Sequence, residues 1–160
     1  MVILSVAATG QNTLETVIQK GHELAVVSIA ISPDSNYVAT GSKDKSVKLW
    51  DLRSGKEVRS FQGHEHTVNT LNFSTDGKLL ISGSYDKSTR VWEVATGKEL
   101  FAIPNPDNGI VTDVIFDPKN RFFVVAANST SGYGDSARIY DFKTRRVVTK
   151  IRVNPEAISA

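Results

Sequence analysis

Serine, histidine and aspartate, the residue types of a hydrolase nucleophile, recur in this chain in two sets. His64, Ser82 and Asp86 precede Trp92, and His22, Thr40 and Asp44 precede Trp50. A hydroxyl nucleophile needs a base to take its proton and a carboxylate to orient that base, and each set contains all three groups. The duplication argues against catalysis. Each member of the first set lies 42 positions from its counterpart in the second. A unique active site has no use for a copy in register, whereas a device that ties each repeat together needs one per repeat.

Other chemistry is sparse. His22, His64 and His66 do not form a metal-ligand spacing on a strand or helix, and His66 reads as a solvent-facing loop residue. The triplets Asn72-Phe73-Ser74 and Asn128-Ser129-Thr130 fit a glycosylation acceptor, but the first falls in an expected strand. No glycine-rich phosphate loop or paired-carboxylate arrangement stands out, so neither a metal nor a cofactor is expected. A net charge of +2, with Lys and Arg scattered among Asp and Glu, lacks the concentrated stripe that follows phosphates and disfavours nucleic acid. With no cysteine there is no disulfide framework, and redox chemistry says nothing of compartment. No run reaches the roughly 18–20 apolar residues of a membrane helix.

The elements that must position these residues are short strands. Val26 to Ile31 stops at Ser32-Pro33-Asp34-Ser35-Asn36, and Tyr37 to Thr40 follows. Turns at Lys43-Asp44-Lys45 and Arg53-Ser54-Gly55-Lys56 lead into Val47 to Trp50 and Glu57 to Phe61. The second repeat copies the order with Val68 to Phe73, Leu79 to Ser82, Thr89 to Trp92 and Glu99 to Ile103. A weaker third copy holds Val111 to Phe116, Phe122 to Ala126, Arg138 to Tyr140 and Val147 to Val153, with a Ser/Gly-rich excursion over Asn128 to Gly134. Residues 14–19 occupy the slot of a fourth strand without a blade of its own.

Gly21-His22 and Gly63-His64, followed by Trp50-Asp51 and Trp92-Glu93 at a fixed period, resemble the WD40 repeat. The resemblance covers roughly residues 13–153 and implies an all-β architecture of four-stranded antiparallel propeller blades. The expected blades run over about 24–62, 66–103 and 110–153, preceded by a segment 1–12 and followed by a tail 154–160. In that family the residues matching His22, Thr40, Asp44 and Trp50, and His64, Ser82, Asp86 and Trp92, form a buried hydrogen-bond network. The third copy departs from it: Asp107 stands in the histidine slot, Val125 in the hydroxyl slot and Tyr140 in the tryptophan slot. That blade is expected to lack the network, to lean on Val114, Phe116, Val124 and Ile139, and to be the least stable.

The function that the resemblance implies is a non-enzymatic scaffold presenting loop residues to a protein or peptide. The positions matching the family's contact rim are Glu23, Ala25, Val27 and Lys43 in the first repeat, and Glu65, Thr67, Asn69 and Tyr85 in the second. Ile110 and Thr112 are the third-repeat positions. Tyr85 is the expected anchor. Two alternatives stand beside this reading: a recruiting propeller from a longer protein with a catalytic domain elsewhere, and an exported ligand-binding propeller. Residues 1–10 read equally as the remnant of a secretory signal or as an edge strand, leaving the compartment cytoplasmic or exported. Closed propellers usually have about 4–8 blades. Three blades are therefore expected to be the N-terminal part of a longer ring, or to self-associate to cover their open ends.

Overall fold

The computed structural model describes residues 21–128 and 136–152. The segment 1–12, the strand expected over 14–19, residues 129–135 of the third-repeat excursion and the tail 154–160 lie outside the described residues. Those described form three four-stranded antiparallel sheets. The first contains β1 (Val26–Ile31), β2 (Tyr37–Ser42), β3 (Val47–Asp51) and β4 (Glu57–Phe61). The second contains β5 (Val68–Phe73), β6 (Leu79–Ser84), β7 (Ser88–Glu93) and β8 (Glu99–Pro104). The third contains β9 (Val111–Phe116), β10 (Phe122–Ala127), β11 (Ser136–Asp141) and β12 (Val147–Arg152). Within each sheet every strand pairs with its neighbour in sequence, as propeller blades require.

The blades stack face to face, and each seam joins two chemically different surfaces. Because side chains alternate across a strand, Val47, Leu49 and Phe61 point from blade 1 toward blade 2. There they meet Leu71, Phe73, Leu80, Trp92 and Val94 in one buried cluster. Ile81 and Val91 emerge on the other face of blade 2 and meet Val114, Phe116, Phe123, Val125 and Tyr140 of blade 3. So each seam packs an aliphatic face against the tryptophan (or tyrosine) face of the next blade.

Two of the four residues expected in the core of blade 3 are placed differently. Val114 and Phe116 are buried, but Val124 and Ile139 are only half-buried. They pair with each other, and Val124 also pairs with the exposed Ile115. The alternation puts their partners in sequence, Phe123, Val125 and Tyr140, on the face toward blade 2. Val124 and Ile139 correspond to Ile81 and Val91 of blade 2, and in blade 3 nothing described covers that face.

Close approach at the seams explains one small residue. A Cβ on Gly41 would stand 2.3 Å from Ser28 Oγ and 2.7 Å from the Val68 carbonyl oxygen. It would also break into the hydrogen bond that Ser28 Oγ donates to that same carbonyl at 3.1 Å. Gly41→Ala is expected to destabilise the protein by about 1–3 kcal/mol, as overpacking does elsewhere. A urea midpoint equal to the parent's would contradict this packing.

Candidate functional site

The repeated polar residues converge on the turn between β2 and β3 in blade 1, and between β6 and β7 in blade 2. In blade 1, His22 Nδ1 lies 2.8 Å from Asp44 Oδ2 and its Nε2 lies 2.7 Å from Thr40 Oγ1. Trp50 Nε1–H donates to Thr40 Oγ1 at 2.7 Å. A carboxylate can only accept, so Nδ1 carries the imidazole proton in the neutral ring. The chain then runs from the Trp50 N–H to the Thr40 oxygen, from the Thr40 O–H to His22 Nε2, and from His22 Nδ1–H to Asp44. Blade 2 repeats the set with His64–Asp86 at 2.7 Å, His64–Ser82 at 2.8 Å and Trp92–Ser82 at 2.8 Å.

Each aspartate also gathers the backbone around it. Asp44 accepts from the backbone N–H groups of Glu23 and Ser46, both at 2.9 Å, and from the Ser46 hydroxyl at 2.6 Å. Asp86 does the same with Glu65 and Ser88. These contacts hold Lys45 and Lys87 in the left-handed region, with φ of 73° and 70°, which non-glycine residues enter only when their surroundings compel it. Burial by itself would raise the Asp44 carboxyl. The hydrogen bonds from Ser46, His22 and Glu23 outweigh it and hold the carboxyl well below the usual carboxylate range. Burial opposes the same fall at Asp86, where His64, Ser88 and Glu65 supply the donors.

This geometry is a poor nucleophile site. Ser82 is fully buried, and its oxygen is occupied by the Trp92 N–H, so an electrophile has no approach to it. What the arrangement does is lock the loop before β1 or β5 to the next hairpin. Residues 42/84 and 46/88 belong to the network too. Ser42 Oγ donates to the Leu24 carbonyl and accepts from Asp44 N–H, and Ser84 does the equivalent with His66 and Asp86. Sequence reasoning passed over these four serines although the same period of 42 marks them. It also passed over a repeated ion pair, Lys48–Glu57 at 2.6 Å and Arg90–Glu99 at 2.5 Å.

Blade 3 has no histidine–tryptophan network at the matching positions, yet it is not held by apolar packing alone. Asp107 accepts from Arg138 and, at 2.6 Å, from Lys150, while Arg138 also donates to Asn105 Oδ1 at 2.9 Å. Arg138 is buried. Lys150 contributes most to holding the Asp107 carboxyl below its ordinary range; burial opposes this, and Arg138 reinforces it. Tyr140 fills the tryptophan slot by stacking on Phe123, with centroids 5.1 Å apart and rings nearly parallel. Burial pushes its phenol up.

Glu23, Ala25, Lys43, Glu65, Thr67 and Tyr85 lie on the loops that the networks tie down, whereas Val27, Asn69 and Thr112 lie on β1, β5 and β9. Glu23, Ala25, Val27, Lys43 and Glu65 are exposed, and Thr67 is half-buried. Tyr85 is 44% exposed and sits against the exposed His66 with ring centroids 5.7 Å apart. Its backbone N–H bonds to the Thr67 carbonyl, which sets Tyr85, His66 and Thr67 side by side. Asn69 differs from the rest. Its amide nitrogen donates across the seam to the Val111 carbonyl at 2.7 Å, so that side chain is committed to blade packing. Ile110 is half-buried and Thr112 exposed. Among the described residues no cluster of three or more His, Cys, Asp or Glu could hold a metal ion, and no helix is long and apolar enough to cross a membrane.

Stacked four-stranded sheets, the first two stapled by a hydroxyl–imidazole–carboxylate chain and a tryptophan, define a blade-repeat protein of the propeller class. The model of the WD domain, G-beta repeat, matches residues 12–51 and 55–93. The second match begins just before β4 and ends with β7, so the sequence unit comprises the last strand of one blade and the first three of the next. The chain belongs to the WD40-repeat family. Its relatives include the ribosome biogenesis protein BOP1 homologs of Drosophila virilis, 36% identical over 50 residues, and of Drosophila ananassae, 34% identical over 50 residues. Each alignment covers 31% of this chain and 6% of the relative, so the chain spans only a small part of those proteins.

Proposed function

We propose that this chain is a non-enzymatic interaction module whose rim loops receive a protein or peptide partner. The observation that carries the reading is the Tyr85–His66 pair, exposed on loops whose backbone is fixed by a buried network. An aromatic held rigid in the free state loses little conformational freedom on binding, which favours it as an anchor. Glu65 and Thr67 beside it, with Glu23 and Lys43 on the neighbouring blade, would supply the polar surround. The likeness to ribosome biogenesis proteins rests on a blade-sized stretch; it supports the repeat and identifies no partner. A peptide library displayed on phage tests the reading. Peptides enriched on the full chain should bind the Tyr85→Ala variant about tenfold or more weakly, with thermal stability unchanged. Failure to enrich any sequence, or indifference to Tyr85, would overturn it.

The ends of the stack favour a second part to this reading. Ile29 and Ile31 are 66% and 60% exposed on the tryptophan face of blade 1, while Ile115 and Ile151 are 51% and 53% exposed on the aliphatic face of blade 3. These are the two halves of the seam that recurs inside the chain. Isolated sheets leave such faces only when something covers them, so further blades, or a second copy meeting the first head to tail, would complete the ring. Sedimentation velocity of the isolated chain discriminates: association is expected, and a stable, monodisperse monomer would contradict this part alone.

A further inference from the structure

A cleft of about 420 Å³ opens at the seam between blades 1 and 2, walled by Tyr37, Leu49, Val58, Arg59, Val94 and Ala95. Its counterpart one seam over is filled. Arg59 stands opposite Leu49 as Phe101 stands opposite Val91. Val94 donates its N–H to the Lys78 carbonyl as Phe142 donates to that of Arg121. The second seam thus places Phe101 against Phe142, with centroids 5.6 Å apart and with Phe116 and Phe123 behind them. The first seam has an arginine and a valine at those two positions.

Arg59 does not fill the space. Its guanidinium reaches to the Ala95 and Thr96 carbonyls at 2.6 and 2.9 Å, so that its stem forms a wall of the cleft. Its buried Nε has no hydrogen-bond partner. Lys78 adds a second cation to the lining, and Glu93, the carboxylate there, accepts from the Thr96 hydroxyl. The second seam also has a guanidinium over its aromatic plug, with Arg145 4.6 Å from the Phe101 ring centroid. A mostly apolar cleft of this size with a few cationic groups at its edge is suited to an aromatic ring that carries a carboxylate nearby.

We propose that this cleft binds an aromatic side chain of a partner peptide, flanked by a carboxylate, in the place that Phe101 and Phe142 occupy between blades 2 and 3. The site is separate from the Tyr85 rim, so the two proposals fail separately, and Tyr85→Ala should leave this one unchanged.

The test is a titration of the full chain, labelled with ¹⁵N, with N-acetyl-phenylalanine, followed by backbone amide shifts. Shifts are expected at Val58, Arg59, Lys78 and Val94, with a dissociation constant on the order of 1 mM for a ligand of this size. N-acetyl-leucine should bind more weakly. Val94→Phe, which installs the residue type of the second seam, should weaken binding about tenfold or more and raise the unfolding midpoint. Val58→Trp covers the mouth from an exposed position and should also block the probe, whether or not Val94→Phe folds. Absence of shifts at those amides, shifts centred elsewhere, or binding that survives Val58→Trp would overturn the proposal.

Discussion

Replacing Trp92 with alanine should destabilise the protein by about 3–5 kcal/mol, the range for a buried aromatic deleted from a core. The ring is 2% exposed, packs edge-on against Phe61 at 5.8 Å across the seam, and lies against His64 at 6.2 Å. Its loss opens a cavity between blades 1 and 2 and removes the donor to Ser82. The same change at Trp50 should cost about half as much, because apolar stabilisation scales with area removed from water. Trp50 makes the same hydrogen bond, to Thr40, but its ring is only half-buried on the outward face of blade 1. Urea unfolding followed by circular dichroism separates the two. Equal losses would mean that the hydrogen bond, rather than the seam, carries the effect.

Asp86→Ala should cost about 3 kcal/mol or more, since it strands several donors in a nearly dry turn. The His64 Nδ1–H, the backbone N–H groups of Glu65 and Ser88, and the Ser88 hydroxyl all lose their acceptor. The pH dependence follows from the sign of the carboxyl shifts. Asp44 and Asp86 are held below their ordinary value in the folded protein. Folding is therefore favoured by their ionisation above the unfolded value of about 3.9. That contribution is fully present at neutral pH and is lost as pH falls below about 4 through the depressed folded values. Stability of the parent should drop steeply in this acid range, and Asp86→Ala should show a shallower drop from a lower starting point. Parallel pH profiles for the two proteins would show that Asp86 does not titrate as this network requires.

Much of this architecture is legible because the repeat writes it twice. A period of 42 aligns His22 with His64 and Trp50 with Trp92, and the strands between follow from turn residues. The same period could have revealed Ser42/Ser84, Ser46/Ser88 and the Lys48–Glu57 and Arg90–Glu99 pairs, which were missed because serine and surface charge are common. Blade 3 was harder. Its insertion breaks the register, so nothing in the sequence joins Asp107 to Arg138 and Lys150, residues that meet only after β11 and β12 have paired. Val124 and Ile139, expected to pack blade 3, lie half-buried on the face that no described neighbour covers, for a different reason. Both faces of a middle blade are apolar, and periodicity alone does not say which of them a neighbour covers. The cleft between blades 1 and 2 was invisible for the same reason, because its existence depends on what Arg59 and Val94 face across the seam.

The central claim is that the recurring hydroxyl, imidazole and carboxylate form one closed hydrogen-bonded chain, from the Trp92 N–H through Ser82 and His64 to Asp86. The nitrogen spectrum of the His64 imidazole tests it most directly. The ring should hold a proton on Nδ1, aimed at Asp86 and slow to exchange, while Nε2 accepts from Ser82. An imidazole that carries its proton on Nε2, or exchanges freely with solvent, would contradict the account.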